Sequence, residues 1–346
     1  MVPPGPEDAA DPPGDEPDDR ALLEATADAA LPDGMAAEVE PLAGEGRSVV
    51  GAVTAADGER FVLKCAPDAD AARVLRREAA VTAAVDRRTE VPVAGVVAAA
   101  FEPAGAPAPY VLFRWVEGRT LSEAVSAGPG GVTPALFGAL GETLAALHVD
   151  TEHEAPGSVV PTGPRDYAVD PAPSWPELFA GELADHVEAL AGTRFAALAE
   201  ACWDELAGRL PALDTSDPPV LLHGDVGAGN VVYDGTDVAG LLDWERAFVG
   251  HPEYDLCRAE VRYFWSQWGR RDALASTLYA GYRSRRELAD DFDARRPVYL
   301  ATFYLMSLST FESWAPRYAD DLDAFAADVA DKVRGVMAAD GADPFG

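Results

Sequence analysis

Residues 221–256, LLHGDVGAGNVVYDGTDVAGLLDWERAFVGHPEYDL, space Asp225, Asn230 and Asp243 so that one chain reversal brings three oxygen-bearing side chains together. An apolar approach (Val220, Leu221, Leu222) leads into a short polar loop from His223 to Asn230, and two strand-like runs follow, 231–233 and 238–242. Asp234-Gly235 between them is a hairpin-turn signal, since the tight turn needs positive φ at its central positions. The return strand then carries Asp243 back beside Asn230. Mg²⁺ is a hard cation that takes a few protein oxygens together with substrate phosphates, which suits Asn230 and Asp243 as its ligands. Asp225, five residues before Asn230, is left to accept a proton from a hydroxyl group. Asp-x-x-x-x-Asn followed by a metal-binding Asp is the division of labour in kinase catalytic loops.

The chain of 346 residues is 48% hydrophobic, enough for a large core and two lobes. No run approaches the roughly 18 apolar residues of a membrane span, and the N-terminus has neither a basic region nor an apolar signal core. The expectation is a cytoplasmic protein with no membrane partner. A net charge of −32 leaves no basic patch to neutralise phosphates, which argues against a nucleic-acid partner. It also points to a halophilic, high-salt setting in which self-repulsion is screened. Lysine occurs at positions 64 and 332 alone, so a lysine retained at one place is informative. Cys65, Cys202 and Cys257 are odd in number and far apart, which fits small buried hydrophobes better than a disulfide framework or zinc site.

Before the opening stretch, residues 1–19 are rich in Pro, Gly, Asp and Glu and read as a disordered acidic tail. A helix over 21–30 follows, then strand-like runs near 37–43, 48–54 and 59–64 that read as an antiparallel meander. Its first connection contains Gly44 and Gly46, which would let backbone N–H groups approach phosphates, although an ordinary hairpin turn explains them equally. Lys64 ends the apolar run Phe61-Val62-Leu63, where an ammonium could hold phosphates and a strand rarely ends in a lysine without a partner. Glu78, on a helix over 69–85 capped by Asp68 or Asp70, is that partner or else pairs locally with Arg73, Arg76 and Arg77. Strands are expected at 95–101 and 110–116. The second leads into Thr120-x-x-Glu123, a capping box, and the backbone around Phe113 and Trp115 would meet a nucleotide base if it crosses between lobes. Thr133-Pro134 starts a helix reaching His148, and the proline-rich residues 150–174 read as a loop. Helices near 175–190, 194–209, 254–267, 270–286, 294–314 and 319–338 complete the chain, with aromatics at core spacing.

With these residues in place, the chain resembles the aminoglycoside phosphotransferase and choline kinase-like family of small-molecule kinases. The pieces are Phe61-Val-Leu-Lys64, Glu78, YVLFRWVEGRTL from Tyr110, Leu144-AALH148, LLHGDVGAGN (221–230), LLDWE (241–245) and GHPEYDL (250–256). The likeness runs from about residue 37 to residue 260. It implies an α+β, protein-kinase-like two-lobed fold. A nucleotide-binding lobe with one main helix on a small antiparallel sheet would occupy 20–116, and a mostly helical catalytic and acceptor-binding lobe 117–340. It implies ATP and Mg²⁺ as cofactors and a small-molecule hydroxyl as acceptor, with Asp225 as base, Asn230 and Asp243 on magnesium, Lys64 on the phosphates and Glu78 positioning Lys64. His223 and Asp255 would support the loop. The chain departs from the family at Gly227-Ala228, where many members have His-Pro, and in its glycine-poor phosphate loop.

A protein kinase is a poorer match. His223 is followed by glycine where a phosphate-binding arginine would stand, and the stretch between Asp243 and Tyr254 is too short for an activation loop. A catalytically silent nucleotide-binding pseudokinase, acting as sensor or scaffold, is the second reading, although the base, both metal ligands and the lysine are all retained. The acceptor and the oligomeric state are not legible, because acidity covers the entire chain.

Overall fold

Alternation along the third strand sorts the N-terminal half into two apolar layers. In the computed structural model, which describes residues 17–31, 36–42, 47–102, 105–126, 133–227, 229–264, 271–317 and 319–338, five antiparallel strands form one sheet. They are β1 (Ala36–Leu42), β2 (Val49–Ala55), β3 (Arg60–Cys65), β4 (Val96–Ala100) and β5 (Tyr110–Arg114), in the order β1-β2-β3-β5-β4. Phe61, Leu63, Cys65, Tyr110 and Leu112 face one way and pack with Leu23, Ala27 and Ala30 of helix α1 (Pro17–Ala30). Val62, Val111 and Phe113 face the other way, onto Leu75 and Ala79 of helix α2 (Ala69–Arg88). A period of two produces this split. Helix α1 begins inside the segment expected to be disordered through residue 19, because proline and aspartates suit a first helical turn.

Helix α2 is capped by Asp68, whose carboxylate accepts the Ala71 N–H at 2.8 Å, and it runs three residues past its expected end. Those residues matter for the lobes. Arg87 and Arg88 reach Asp166 in the C-terminal half, and Arg88 lies over the Tyr167 ring at 5.3 Å.

The chain crosses between lobes through β6 (Arg119–Thr120) and helix α3 (Leu121–Ser126). Thr120 N–H donates to Glu123 Oε2 at 2.7 Å and Glu123 N–H to Thr120 Oγ1 at 3.1 Å, so the expected capping box forms in both directions. Helix α4 (Pro134–Asp150) follows, then a hairpin of β7 (Gly157–Gly163) and β8 (Asp166–Pro171) where a loop was expected from the prolines. Pro161 sits beside the register shift at Gly163, beyond the short pairing with the next strand, and Pro171 ends an edge strand. Both are places where a missing N–H is tolerated. With β9 (Val220–Leu222) and β12 (Phe248–Gly250) the hairpin makes a sheet in the order β8-β7-β12-β9, while β10 (Val231–Asp234) and β11 (Asp237–Leu241) pair beside β6. The turn between β10 and β11 has Gly235 at φ +69°, as the Asp-Gly pair predicts.

The rest is helical: α5 (Trp175–Ala189), α6 (Ala196–Leu206), α7 (Glu253–Phe264), α8 (Arg271–Arg283), α9 (Phe292–Leu308), α10 (Phe311–Trp314) and α11 (Leu322–Ala338). The helix expected over 294–314 breaks after Leu308 into α9 and α10. Trp175, Phe179, Tyr254, Tyr299 and Phe303 make edge-to-face or tilted contacts with ring centres 4.9–6.5 Å apart, so these aromatics are core. No described helix is long and apolar enough to cross a membrane.

Helices α4 and α8 approach through glycine. A Cβ on Gly141 would overlap the Leu278 carbonyl, and one on Gly281 the Gly138 carbonyl. The close approach sets His148 Nδ1 2.9 Å from the Tyr282 hydroxyl. Gly141→Ala should therefore force these helices apart and lower stability by about 1–3 kcal/mol, measured as the shift of the urea unfolding midpoint. An unshifted midpoint would count against the seam.

Candidate active site

Asp255, fully buried on α7, carries the loop that precedes β10. Its Oδ2 accepts the His223 N–H at 2.7 Å and its Oδ1 the Gly224 N–H at 3.0 Å. Two amide donors that no β-ladder satisfies are paired by one carboxylate. Beneath it, His148 Nε2 lies 3.5 Å from Asp255 Oδ2, and burial pulls the imidazole below its usual range despite that carboxylate. His223 donates from Nε2 to the Leu242 carbonyl at 2.8 Å and accepts the Asp225 N–H at Nδ1 at 3.2 Å, a pairing that selects the Nε2–H tautomer. Gly224 has φ +76°, and a Cβ there would overlap the Arg246 carbonyl. Backbone crowding thus excludes the arginine that a protein kinase would carry at this position.

The hairpin delivers Asp243 as its sequence requires. Leu242 N–H donates to the Asn230 carbonyl at 2.8 Å, which closes the loop, and Asn230 Nδ2 donates to the Asp225 carbonyl at 3.1 Å. Asp243 sits at φ 63°, ψ 71°, the one non-glycine residue at positive φ among those described. Holding it there costs on the order of 1–2 kcal/mol, and such strain persists where the surroundings over-determine a functional geometry. Trp244 anchors the turn: it is buried, lies tilted with its ring centre 4.6 Å from that of His223 and donates from Nε1 to the Leu241 carbonyl at 3.1 Å.

From the other lobe, Lys64 Nζ lies 2.7 Å from Glu78 Oε1 and 3.0 Å from Asp243 Oδ1. Burial works against the ammonium, but the two carboxylates outweigh it and hold Lys64 above its ordinary value. Burial pushes the Glu78 carboxyl up to about 7 against the pull of Lys64. Glu78 is 3% exposed, so the local arginine pairing open to it in sequence is not made. Arg77 instead reaches across to the Glu245 carbonyl, and Leu241 N–H donates to the Pro92 carbonyl at 2.9 Å.

Lys64, Glu78 and Asp243 line one end of a cleft of about 620 Å³ between the sheet and the β10–β11 hairpin. Its walls are apolar: Leu42, Val50, Val62 and Phe113 above, Val232 and Leu241 below, with Trp115 and Val116 at the crossing. Trp115 carries the Arg60 guanidinium 3.7 Å over its ring, and its N–H donates to the Arg60 carbonyl at 3.2 Å. Gly44 and Gly46 lie outside the described residues. Asp225 is not part of the lining. It is 4% exposed, and its Oδ1 accepts from Arg258 Nη2 at 2.9 Å while Arg246 Nε stands 3.8 Å from Oδ2. Neither arginine belongs to the motif pieces used in sequence. The signal for Arg258 is its place three residues after Asp255, on the same helical face.

Among the described residues no group of three His, Cys, Asp or Glu could hold a metal by itself. Mg²⁺ takes one or two protein ligands and completes its shell with phosphates and water, so it does not need such a group. Asn230 and Asp243 both line the cleft, and with the Asn230 amide nitrogen committed to a carbonyl its oxygen is the atom left for a cation. The donor set fits.

The sequence profile of the phosphotransferase enzyme family matches residues 38–298, reaching past the point near residue 260 where the motifs fade. Ketosamine-3-kinase of Mus musculus is 31% identical over 147 residues, 40% of this chain and 43% of that protein. The chain spans less than half the length of the curated relatives it matches. Amicoumacin kinase hAmiN in complex with AMP-PNP, Ca²⁺ and Ami superposes with TM-score 0.62 at 19% identity, covering 92% of this chain and 93% of that one. A thermostable mutant of aminoglycoside phosphotransferase APH(4)-Ia, in its ternary complex with ADP and hygromycin B, gives 0.61 at 18%, covering 88% and 96%. At these identities the likeness is one of fold, and it makes this fold protein-kinase-like.

Removing the Asp255 carboxylate orphans two buried amides, at about 1–3 kcal/mol each. Asp255→Ala should lose that stability in denaturant titration, whereas Asp255→Asn, which keeps one acceptor oxygen, should lose less.

Proposed function

The chain belongs to the phosphotransferase enzyme family, and from that premise we propose that it moves the γ-phosphoryl group of ATP, with Mg²⁺, to a hydroxyl of a small molecule. The observation that carries the reading is Lys64 held between Glu78 and Asp243 at the polar end of an apolar cleft. In it, residues 20–116 bind the nucleotide and 117–340 carry the catalytic loop and the acceptor. Lys64 holds phosphate oxygens by charge, and Glu78 keeps the ammonium in place. The base of the nucleotide lies against Val62, Phe113 and the Trp115–Val116 backbone. Asn230 and Asp243 hold Mg²⁺, which when bound neutralises phosphate charge. Asp225 orients the acceptor hydroxyl. As the new O–P bond forms, the hydroxyl proton passes to the Asp225 carboxylate, and the electron pair of the broken P–O bond leaves with ADP. Positioning and charge stabilisation then supply most of the acceleration.

Hydroxyl acceptors bearing amines are the first class to test, because the relatives are named for ketosamine and aminoglycoside substrates. Sugars and amino alcohols belong in the same panel. Retention of Asp225, Asn230, Asp243 and Lys64 tells against a silent pseudokinase. The acidic, lysine-poor composition favours a high-salt cytoplasm as the working medium.

ADP release in high potassium chloride across that panel identifies activity and acceptor together. Asp225→Asn should lower kcat by about 10²–10⁴-fold with nucleotide binding nearly intact, and full activity in that variant would remove the base assignment. Glu78 supplies a pH test. Its carboxyl is raised to about 7, so it is charged above that pH and protonated below, where it no longer steers Lys64. The KM for ATP should rise as pH falls from 8 to 6 in the wild type. In Glu78→Gln the KM should be higher throughout and lack this pH component; identical pH profiles would exclude the role.

A further inference from the structure

We propose that Arg258 is the positioning residue of Asp225, fixing the orientation of its carboxylate through Oδ1; this rests on Asp225 being the base. Helix α7 presents Asp255 and Arg258 three residues apart on one face. Asp255 accepts the backbone N–H groups of His223 and Gly224, and Arg258 Nη2 donates to Asp225 Oδ1 at 2.9 Å. One helix therefore fixes both the backbone before the base and the base's own side chain.

Burial makes the Arg258 contact a rigid one. The two side chains are 3% and 5% exposed, so water does not compete for either group. The guanidinium is itself held from behind by α9: Nη1 lies 3.0 Å from Met306 Sδ, and the central carbon lies 5.8 Å from the Phe303 ring centre. Arg258 cannot swing away without unpacking that helix. Arg246, 3.8 Å from Oδ2, is the contrasting case, since its own side chain is 49% exposed.

A carboxylate has two equivalent oxygens and a soft terminal torsion, so an unheld aspartate presents either oxygen over a range of angles. A donor on Oδ1 from a planar, permanently charged guanidinium narrows that range to one orientation of the carboxylate. Phosphoryl transfer through a loose transition state rewards this placement, because the protein's contribution is mainly alignment of nucleophile and phosphorus.

The alternative is that Arg258 merely neutralises a buried acid and supports the fold. A double-mutant cycle separates the two. The readout is ADP release from Mg-ATP, with water as acceptor and with whichever panel compound supports turnover. Arg258→Met should lower kcat at least tenfold with the KM for ATP changed less than twofold, and Arg258→Lys, which keeps charge without the fork, should fall between it and the wild type. In an Asp225→Asn background, Arg258→Met should change kcat less than twofold. Equal losses in both backgrounds, or wild-type kcat in Arg258→Met, would overturn the proposal. Should Arg258→Met fail to fold by circular dichroism, Arg258→Lys in the same two backgrounds decides by the same criterion. Full turnover in Asp225→Asn alone would instead overturn the base assignment, and the proposal with it.

Discussion

An ammonium largely withdrawn from water has to be paired, and in this protein the pairing of Lys64, its side chain 16% exposed, organises the site. Its partners come from an α-helix of the same lobe and from a residue 179 positions away in the other lobe. Strand β3, helix α2 and the β10–β11 hairpin consequently have one relative arrangement in which the charge is satisfied. Other contacts reinforce it: Arg77 on the Glu245 carbonyl, the Leu241–Pro92 backbone bond, and the arginines at the end of α2 on Asp166. The helix carrying Glu78 is strapped to the C-terminal half at its middle and its C-terminal end, so the lysine–glutamate pair is built into the resting fold.

The catalytic loop depends on a second stack of contacts. The glycine seam between α4 and α8 brings His148 to Tyr282, His148 lies against Asp255, and Asp255 holds the backbone N–H groups on either side of the His223 α-carbon. Packing far from the cleft thereby sets the height of Asp225. The strained backbone of Asp243 belongs to the same scheme, since the Trp244 anchor and the Leu242–Asn230 bond over-determine its position.

Charge reads differently at the two scales. The chain as a whole is strongly acidic, yet the centre keeps Lys64, Arg77, Arg246 and Arg258, each near an acid or a carbonyl. Acidity of the surface speaks to medium and solubility. Only the local set bears on phosphate and proton handling, and net charge says nothing about it.

Signals that travel over a few residues were legible from the chain. Asp234-Gly235 turned the hairpin, Thr120-x-x-Glu123 capped α3, and a lone lysine after an apolar strand marked the cleft, whereas the split of that strand's side chains between two faces came from the packing. The family and the two-lobed fold followed from these together with the loop motif. The hairpin at 157–171 was hidden because proline usually excludes strands, and only its partner strands show that these prolines occupy tolerated positions. Whether Glu78 pairs with Lys64 or with its own helix, which face of α7 reaches Asp225, and how closely α4 and α8 approach were settled by tertiary structure. Those outcomes depend on burial and on groups 14 to 179 residues apart, and burial is a property of the packed whole.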